Sequence, residues 1–545
     1  MKRLVVLCAA FALLAASLFA GGTQEGKTQA KPGATGPKVL NFPAASLGGT
    51  YYDWMKTVYN RTGQPELVQI SLTAYDNNYA VHNIAAESMS VSADGLTWTI
   101  KLLRNLQWSD GSPLTADDFV FALQRAALEG YDFGWYWSWA AGIKNWDAVQ
   151  KKDVPVDQLG VKTIDDYTIQ VQTTSPKPYF PGIVSTWYAV PKKQVQKYGD
   201  EYATKVETML CSGPFMLTEW VKDNKMVMVK NPHYHGPWVP IVDQINMYPT
   251  LSEAQQGFPA YLAGDIDMTN VDVGQLAVAK DKFPNEIKKN ATFQIFYLSY
   301  DYSTPPFNDV NVRKAFFYSI NRDELTNTVL KDLAIPAHTL VAPGFPGYSE
   351  AIAKESVFDP VKAADYLAKA GYPGGKGFPP VTFLWREEGG ITQVTKPMSE
   401  YLQAQWKKIL GVDITIDSAD VKTWMDDLLH LKYKMFLSPY AFDYVDASNF
   451  YDLFVTPGSR HNWTNADYNA VVQKADATFK WEDRAPLYQQ AEQIMVDQAA
   501  IVDLIHPLQY NLVKPYVKGP GVEPNQYGFY PMLSVYTWTH LTVEK

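Results

Sequence analysis

An α/β protein of two or three domains is predicted for this chain by three observations. Its 545 residues exceed what a single hydrophobic core sustains. A strand–helix–strand unit between residues 381 and 416 has the spacing of a parallel crossover. Upstream of it, apolar and polar residues alternate on both sides of Asp94-Gly95 in "MSVSADGLTWTIKLL", as in an antiparallel hairpin.

The chain opens with "MKRLVVLCAAFALLAASLFAGG", in which Lys2 and Arg3 precede an apolar run and then small residues. That order predicts a secretory signal over residues 1–21, cleaved near Ala20 to Gly22. A retained anchor needs about 20 apolar residues and other flanks. Cys8 lies inside the apolar run and no cysteine stands at the cleavage region, so no lipid anchor is expected. Residues 22–37 are rich in Gly, Thr, Gln, Lys and Pro and read as a flexible linker.

Without the signal, Cys211 is the only cysteine, which excludes an intramolecular disulfide and leaves stability to large cores. Loss of Lys2 and Arg3 takes the formal charge from −9 to −11. An acidic chain without basic runs argues against nucleic-acid binding. No later segment is apolar and long enough to span a bilayer. The aromatic fraction, 14%, is high; such side chains build cores or line sites that grip varied organic surfaces.

In the first hairpin Trp98, Ile100 and Leu102 share one face. In "NLQWSDGSPLTADDFVFALQRAALEG", Thr115 is a helix N-cap and Asp118 completes a capping box. Phe119, Ala122, Leu123 and Ala126 form the apolar stripe of a helix from Ala116 to Leu128, closed by Gly130. Trp108 is expected to fix the hairpin against that helix. "FMLTEWVKDNKMVMVK" predicts a second hairpin turning at Lys222 to Asn224, and "VNVRKAFFYSINRDELTNTVL" a helical stretch. "FDPVKAADYLAKAG" is a helix with Asp359 as cap and Pro360 at its first position. In the crossover, "VTFLW" and "VDITI" are strands around the helix "KPMSEYLQAQWKKILG", whose apolar side is interrupted only by Gln405.

Ligands of open α/β sheets sit beyond the carboxyl ends of strands. The strand "KYKMFLSPYAF" runs out at Asp443, between Phe442 and Tyr444. A carboxylate in such company faces something positive: a metal, a catalytic proton or the cation of a ligand. Three other patterns look chemical. His233 and His235 could point to one side of a strand, but no third metal ligand stands at diagnostic spacing. Glu387-Glu388 and Asp426-Asp427 cannot supply two carboxyls about 5 Å apart across a cleft, as a retaining glycosidase needs, and read as surface charge. "YPGGKGFPP" lacks a phosphate-loop pattern and reads as a loop.

Several stretches, in order from about residue 86 to 515, resemble the periplasmic solute-binding proteins of peptide ABC transporters. They are "DGLTWTIKLLRNLQWSDGSPLTADDFVFALQR", "GVKTIDDYTIQVQTTSPKPYF", "SGPFMLTEW", "KNPHYHG", "AGDIDMT", "PPFNDVNVRKAFFYSINRDEL", "LVKP" and the Asp443 segment. The resemblance is to the oligopeptide- and dipeptide-binding proteins, bacterial extracellular solute-binding family 5. It implies a two-lobed periplasmic-binding-protein fold of three domains (cluster C type), with ligand in the interlobe cleft. Domain I would comprise 38–79, 189–293 and 511–545, domain II 80–188 and domain III 294–510.

It also implies no catalysis and no cofactor or metal: a monomeric periplasmic protein would capture an oligopeptide and hand it to the transmembrane subunits of a permease. Asp443 would pair with the peptide's ammonium, and the backbone at Tyr440 and Ala441 would pair with its main chain. Trp135, Tyr136, Tyr297 and Asn462 are further lining positions implied by the resemblance. Arginines that neutralise the carboxyl end in the best-known relatives give way here to Leu428 and Leu437. Arg386, at the end of "VTFLW", is the expected substitute, with Lys396 behind it. A cello-oligosaccharide is the alternative cargo and a secreted glycosidase the remote alternative function.

Overall fold

The computed structural model describes residues 36–43, 49–58, 60–388, 392–455, 460–528, 530 and 534–545. The residues expected to form the signal peptide, and nearly all of those expected to form the linker, lie outside them.

The first hairpin forms with strands Ala86–Val91 and Thr97–Leu102. Its turn is longer than a two-residue Asp94-Gly95 turn would be. The Asp94 carboxylate accepts from the Leu96 N–H at 3.0 Å, and Gly95, at φ +75°, donates to the Ser92 carbonyl at 2.8 Å, which widens the loop. Trp98, Ile100 and Leu102 are buried as the alternation requires. With Val161–Asp165 and Thr168–Gln172 the hairpin completes a four-stranded antiparallel sheet. The helix behind it runs Ala116–Glu129, its capping box closed by Asp118 accepting from the Thr115 N–H at 3.0 Å, and Gly130 ends it at φ +64°. The second hairpin, Phe215–Val221 with Lys225–Lys230, belongs to another four-stranded sheet with Gln244–Met247 and Val39–Phe42.

A large mixed sheet has eight strands: β1 (Met268–Val271), β2 (Ile287–Ala291), β3 (Ile295–Tyr300), β4 (Ala334–Pro336), β5 (Val381–Glu387), β6 (Ile414–Asp420), β7 (Met435–Tyr440) and β8 (Val502–Val513). The order is β1-β8-β3-β7-β5-β6, with β2 and β4 also on β8. β5 and β6 pair in parallel, Val381 opposite Ile414, as the crossover spacing predicted. The intervening helix starts at Thr392 and ends in a π-type turn, Trp406–Leu410, closed by Gly411 at φ +72°. Met398, Leu402, Gln405, Trp406 and Leu410 are its buried side.

β8 changes partners along its length. Val502 to Pro507 pair with β3 and β4, whereas Leu508 to Val513 pair with β1 and β2. The cores divide at the same place. One apolar cluster joins residues of 40–268 to residues of 513–543, and separate clusters fill 293–505. These are the two lobes. Tyr444 alone of the second lobe is buried in the first lobe's cluster. That cluster spans both segments expected as domains I and II, so apolar packing joins them.

Candidate ligand-binding site between the lobes

β7 is the inner strand against β3, with Ile295 opposite Tyr440 as the last pair. Beyond it the chain leaves the sheet, Ala441 is exposed, and Asp443 follows. The loop is fixed from within by neutral groups. The Tyr440 hydroxyl donates to Asp443 Oδ2 at 2.8 Å, the Asp443 N–H donates to Asn449 Oδ1 at 2.8 Å, and the Asn449 amide reaches Oδ2 at 3.4 Å. Among the described residues no Lys, Arg or His nitrogen lies within 4 Å of this carboxylate. Burial therefore pushes the Asp443 carboxyl above its ordinary value, against the downward pull of Tyr440, Asn449 and the more distant Arg460.

The neighbouring acid behaves differently. Asp446 takes two hydrogen bonds from the Arg484 guanidinium, at 3.0 and 2.7 Å, and is neutralised inside the second lobe. The loop also touches the first lobe. Val445 donates its N–H to the Tyr75 hydroxyl oxygen at 3.2 Å, the Tyr444 ring stacks on Tyr179 at 5.3 Å, and Tyr136 meets Tyr444 edge-on at 6.3 Å. Asp443 is near enough to Tyr136 to disfavour its phenolate. The carboxylate thus stands at the seam between lobes.

The other expected residues divide. Tyr136 is buried and donates to the Ile183 carbonyl at 3.0 Å, so it presents a ring and not a free hydroxyl. Trp135 and Trp139, about two-fifths exposed, form a tilted pair at 6.2 Å; the described ring contacts of Trp135 stay within its own segment. Trp137 belongs to the core. Tyr297, on β3 opposite Ser438, is buried with its ring edge-on to Phe454 at 5.8 Å. Asn462 is occupied at both ends, accepting from the Tyr302 N–H at 2.9 Å and donating to Asp301 at 2.8 Å, and so anchors the chain beside β3.

Arg386 already has a partner. It is ion-paired with Glu388, and its guanidinium lies 5.6 Å from the Trp424 ring. A half-buried cation takes the nearest carboxylate available, and Glu388, two residues on, is that group. Lys396 stands elsewhere, on an open cavity of about 510 Å³ with Trp385, Glu400 and Gln403.

Residues 80–462 match the family described as "Bacterial extracellular solute-binding proteins, family 5 Middle". The chain belongs to the bacterial extracellular solute-binding proteins of family 5. It is 31% identical, over 83% of its own length and 85% of the relative's, to an Escherichia coli protein named "Probable deoxycholate-binding periplasmic protein". It is 28% identical, over 79% of its length and 80% of the relative's, to the periplasmic oligopeptide-binding protein of Salmonella typhimurium. Among solved structures, the unliganded open form of the periplasmic murein tripeptide binding protein superposes with a TM-score of 0.76 at 24% identity, covering 93% of this chain and 98% of that one. The Listeria monocytogenes oligopeptide-binding protein bound to peptide gives 0.67 at 26% identity, covering 94% and 100%. The two-lobed fold is therefore that of the family 5 binding proteins, whose named relatives are binding proteins.

For a family 5 protein the residue that sequence reasoning missed is Arg460. Its guanidinium lies 5.3 Å from the ring of Tyr440, the residue whose hydroxyl holds Asp443. Its positive charge acts on Asp443, Tyr297 and Arg386 together, so it sits centrally among the expected site residues. Only its place two residues before Asn462 could have drawn notice. His233 and His235 converge on the Gln107 amide oxygen at 3.2 and 3.4 Å, bracing a turn against the "NLQW" segment. Among the described residues no three His, Cys, Asp or Glu side chains are grouped to hold a metal. Glu387, Glu388 and Asp426 are exposed as expected, but Asp427 is buried against Lys432 at 2.7 Å.

Proposed function

We propose that this chain is an exported, monomeric solute-binding protein of an ABC importer that captures peptides by their free ammonium group at Asp443 and delivers them to membrane permease subunits. The carrying observation is a half-buried carboxylate that, among the described residues, is hydrogen-bonded only by neutral groups, at a seam between two lobes. A buried charge of this kind calls for a partner, and an ammonium arriving in the cleft supplies one. The oligopeptide- and dipeptide-binding relatives support this cargo over an oligosaccharide. Of the clustered tryptophans Trp137 lies in the core, and the exposed pair Trp135 and Trp139 has its described ring contacts within its own segment.

Arg460, together with the Glu388-paired Arg386, is the partner proposed for an anionic end of the ligand. Backbone at Tyr440 and Ala441 extends the β7 edge toward it, and such main-chain pairing tolerates varied side chains. Capture by lobe closure needs no bond-making chemistry. The partner switch of β8 at Pro507 to Leu508, beside the β2-to-β3 connection, supports the boundary between domains I and III near residues 293 and 510 as the hinge. Among the described residues no helix is long and apolar enough to cross a membrane; the export reading rests on Lys2, Arg3 and the apolar run that follows them.

One observation favours a second reading. Arg460 among aromatic rings, in a chain 31% identical to a protein named for deoxycholate, also suits an anionic apolar molecule. Native mass spectrometry of protein purified without unfolding separates the two. Retained masses resolving into peptides support the first reading; a retained steroid-like acid overturns it.

A further inference from the structure

The turn of the first hairpin hides its own glycine. Ala93 and Asp94 are exposed at the tip, yet Gly95 beside them is buried. What covers it comes from the other lobe. A Cβ on Gly95 would stand 3.0 Å from Phe479 Cε2 and 3.2 Å from Phe479 Cζ, with Pro176 Cβ at 3.1 Å. Glycine is needed there twice over, by its φ of +75° and by the ring that fills the space a side chain would take. The Phe479 ring also lies 6.3 Å from that of Trp98, tilted by 42°.

Both sides of this contact are held in place. In the first lobe the Thr173 N–H donates to the Leu96 carbonyl at 2.9 Å, which ties the turn to the segment carrying Pro176. Trp98 is buried and stacks on Phe180 at 5.0 Å. In the second lobe Phe479 sits in the short connection between the helices Ala466–Asp476 and Trp481–Asp497. Thr478 donates its N–H to the Ala475 carbonyl at 3.0 Å and its hydroxyl to the Lys474 carbonyl at 2.7 Å. The Lys480 carbonyl accepts from the N–H groups of Asp483 and Arg484 at 3.1 Å each. Phe479 itself stays 42% exposed, outside the apolar clusters of its own lobe. Three residues after Pro176, Tyr179 stacks on Tyr444 and has the Arg484 guanidinium 5.3 Å from its ring, so one first-lobe segment meets the second lobe at two places.

We propose that Phe479 is a positioning residue for capture: seated in the notch of Gly95, Pro176 and Trp98, it clasps the two lobes together and sets the fraction of molecules that are closed. Opening withdraws the ring and returns both it and the notch to water, so the contact weighs against opening whatever the ligand. A ligand enclosed by both lobes binds in proportion to that closed fraction. The clasp therefore acts on all cargo alike, whereas Asp443 and Arg460 act on its ends. The inference rests on the two-lobed capture reading only in that the lobes move. Its test uses no peptide, so its failure and that of the peptide reading are told apart.

The test is the distance between spin labels on Lys151→Cys of the first lobe and Lys474→Cys of the second, both exposed positions, in the full mature chain without ligand; Cys211 is buried. Phe479→Ala should lower the ratio of short-distance to long-distance molecules by about three- to tenfold, the scale of part of a phenylalanine ring returned to water. Phe479→Leu keeps an apolar filling and should recover most of the ratio. Urea unfolding of both variants should stay close to the parent's, because the ring lies outside the cores. An Ala variant with the parent's distance distribution overturns the proposal, as does a parent with no short-distance population. A change in unfolding without a change in distances also overturns it, by assigning Phe479 to local packing.

Discussion

Arg484 grips Asp446 through two hydrogen bonds of 3.0 and 2.7 Å, three residues beyond Asp443, which no cation holds at that range among the described residues. The same loop therefore carries one acid neutralised by the fold and one left for a visitor. The contrast assigns them different consequences on mutation.

Arg484→Leu should destabilise the protein, because it strands a buried carboxylate and removes the donor to the Tyr488 oxygen at 2.9 Å. Losing one member of such a pair typically costs about 3–5 kcal/mol. Urea unfolding monitored by tryptophan fluorescence measures it. The double variant with Asp446→Leu should recover much of the loss, since neither charge is then stranded.

Asp443→Asn should leave unfolding nearly unchanged and weaken binding of free peptides. Truncating one side of a buried charge pair costs about 2–5 kcal/mol, roughly 30- to several-thousand-fold in affinity. Titration calorimetry reports this, and a variant that binds as tightly as the parent would remove Asp443 from the site.

The fold itself was largely legible because it is written in short-range patterns. Alternation around Asp94-Gly95, the Thr115 capping box, the Pro360 helix start and the 381–416 crossover each depend on residues a few positions apart. The place of Asp443 just beyond a strand end was legible too, since the strand pattern runs out there. What could not be read depends on how side chains meet in the folded chain. Arg386 looked free although the carboxylate that pairs with it, Glu388, is only two residues on, and Arg460 was invisible because only folding brings it over Tyr440. Asn462 lay in the right place but faces Asp301 and Tyr302, some 160 residues upstream.

Arg460→Ala should weaken ligands with a free carboxyl end and leave amidated counterparts unchanged. Arg386→Ala should lose less, because Glu388 already shares its charge. Equal losses for acid and amide ligands in the Arg460 variant would deny it the anionic end.

Binding should also fall on acidification. The empty-site Asp443 carboxyl lies above its ordinary value, and only its ionised form attracts an ammonium. Affinity is therefore present above that raised value and lost as pH falls through it. Calorimetry from about pH 7 down to about pH 4, across the carboxylate range, follows the loss, and Asp443→Asn should flatten it.

The most direct measurement compares calorimetric titrations of the mature protein with a mixture of synthetic oligopeptides and with the same peptides N-acetylated. The expected result is tight binding of the free amines and a loss of roughly 30-fold or more on acetylation, the scale of a lost buried charge pair. Equal affinity for free and acetylated peptides would contradict capture of an ammonium at Asp443.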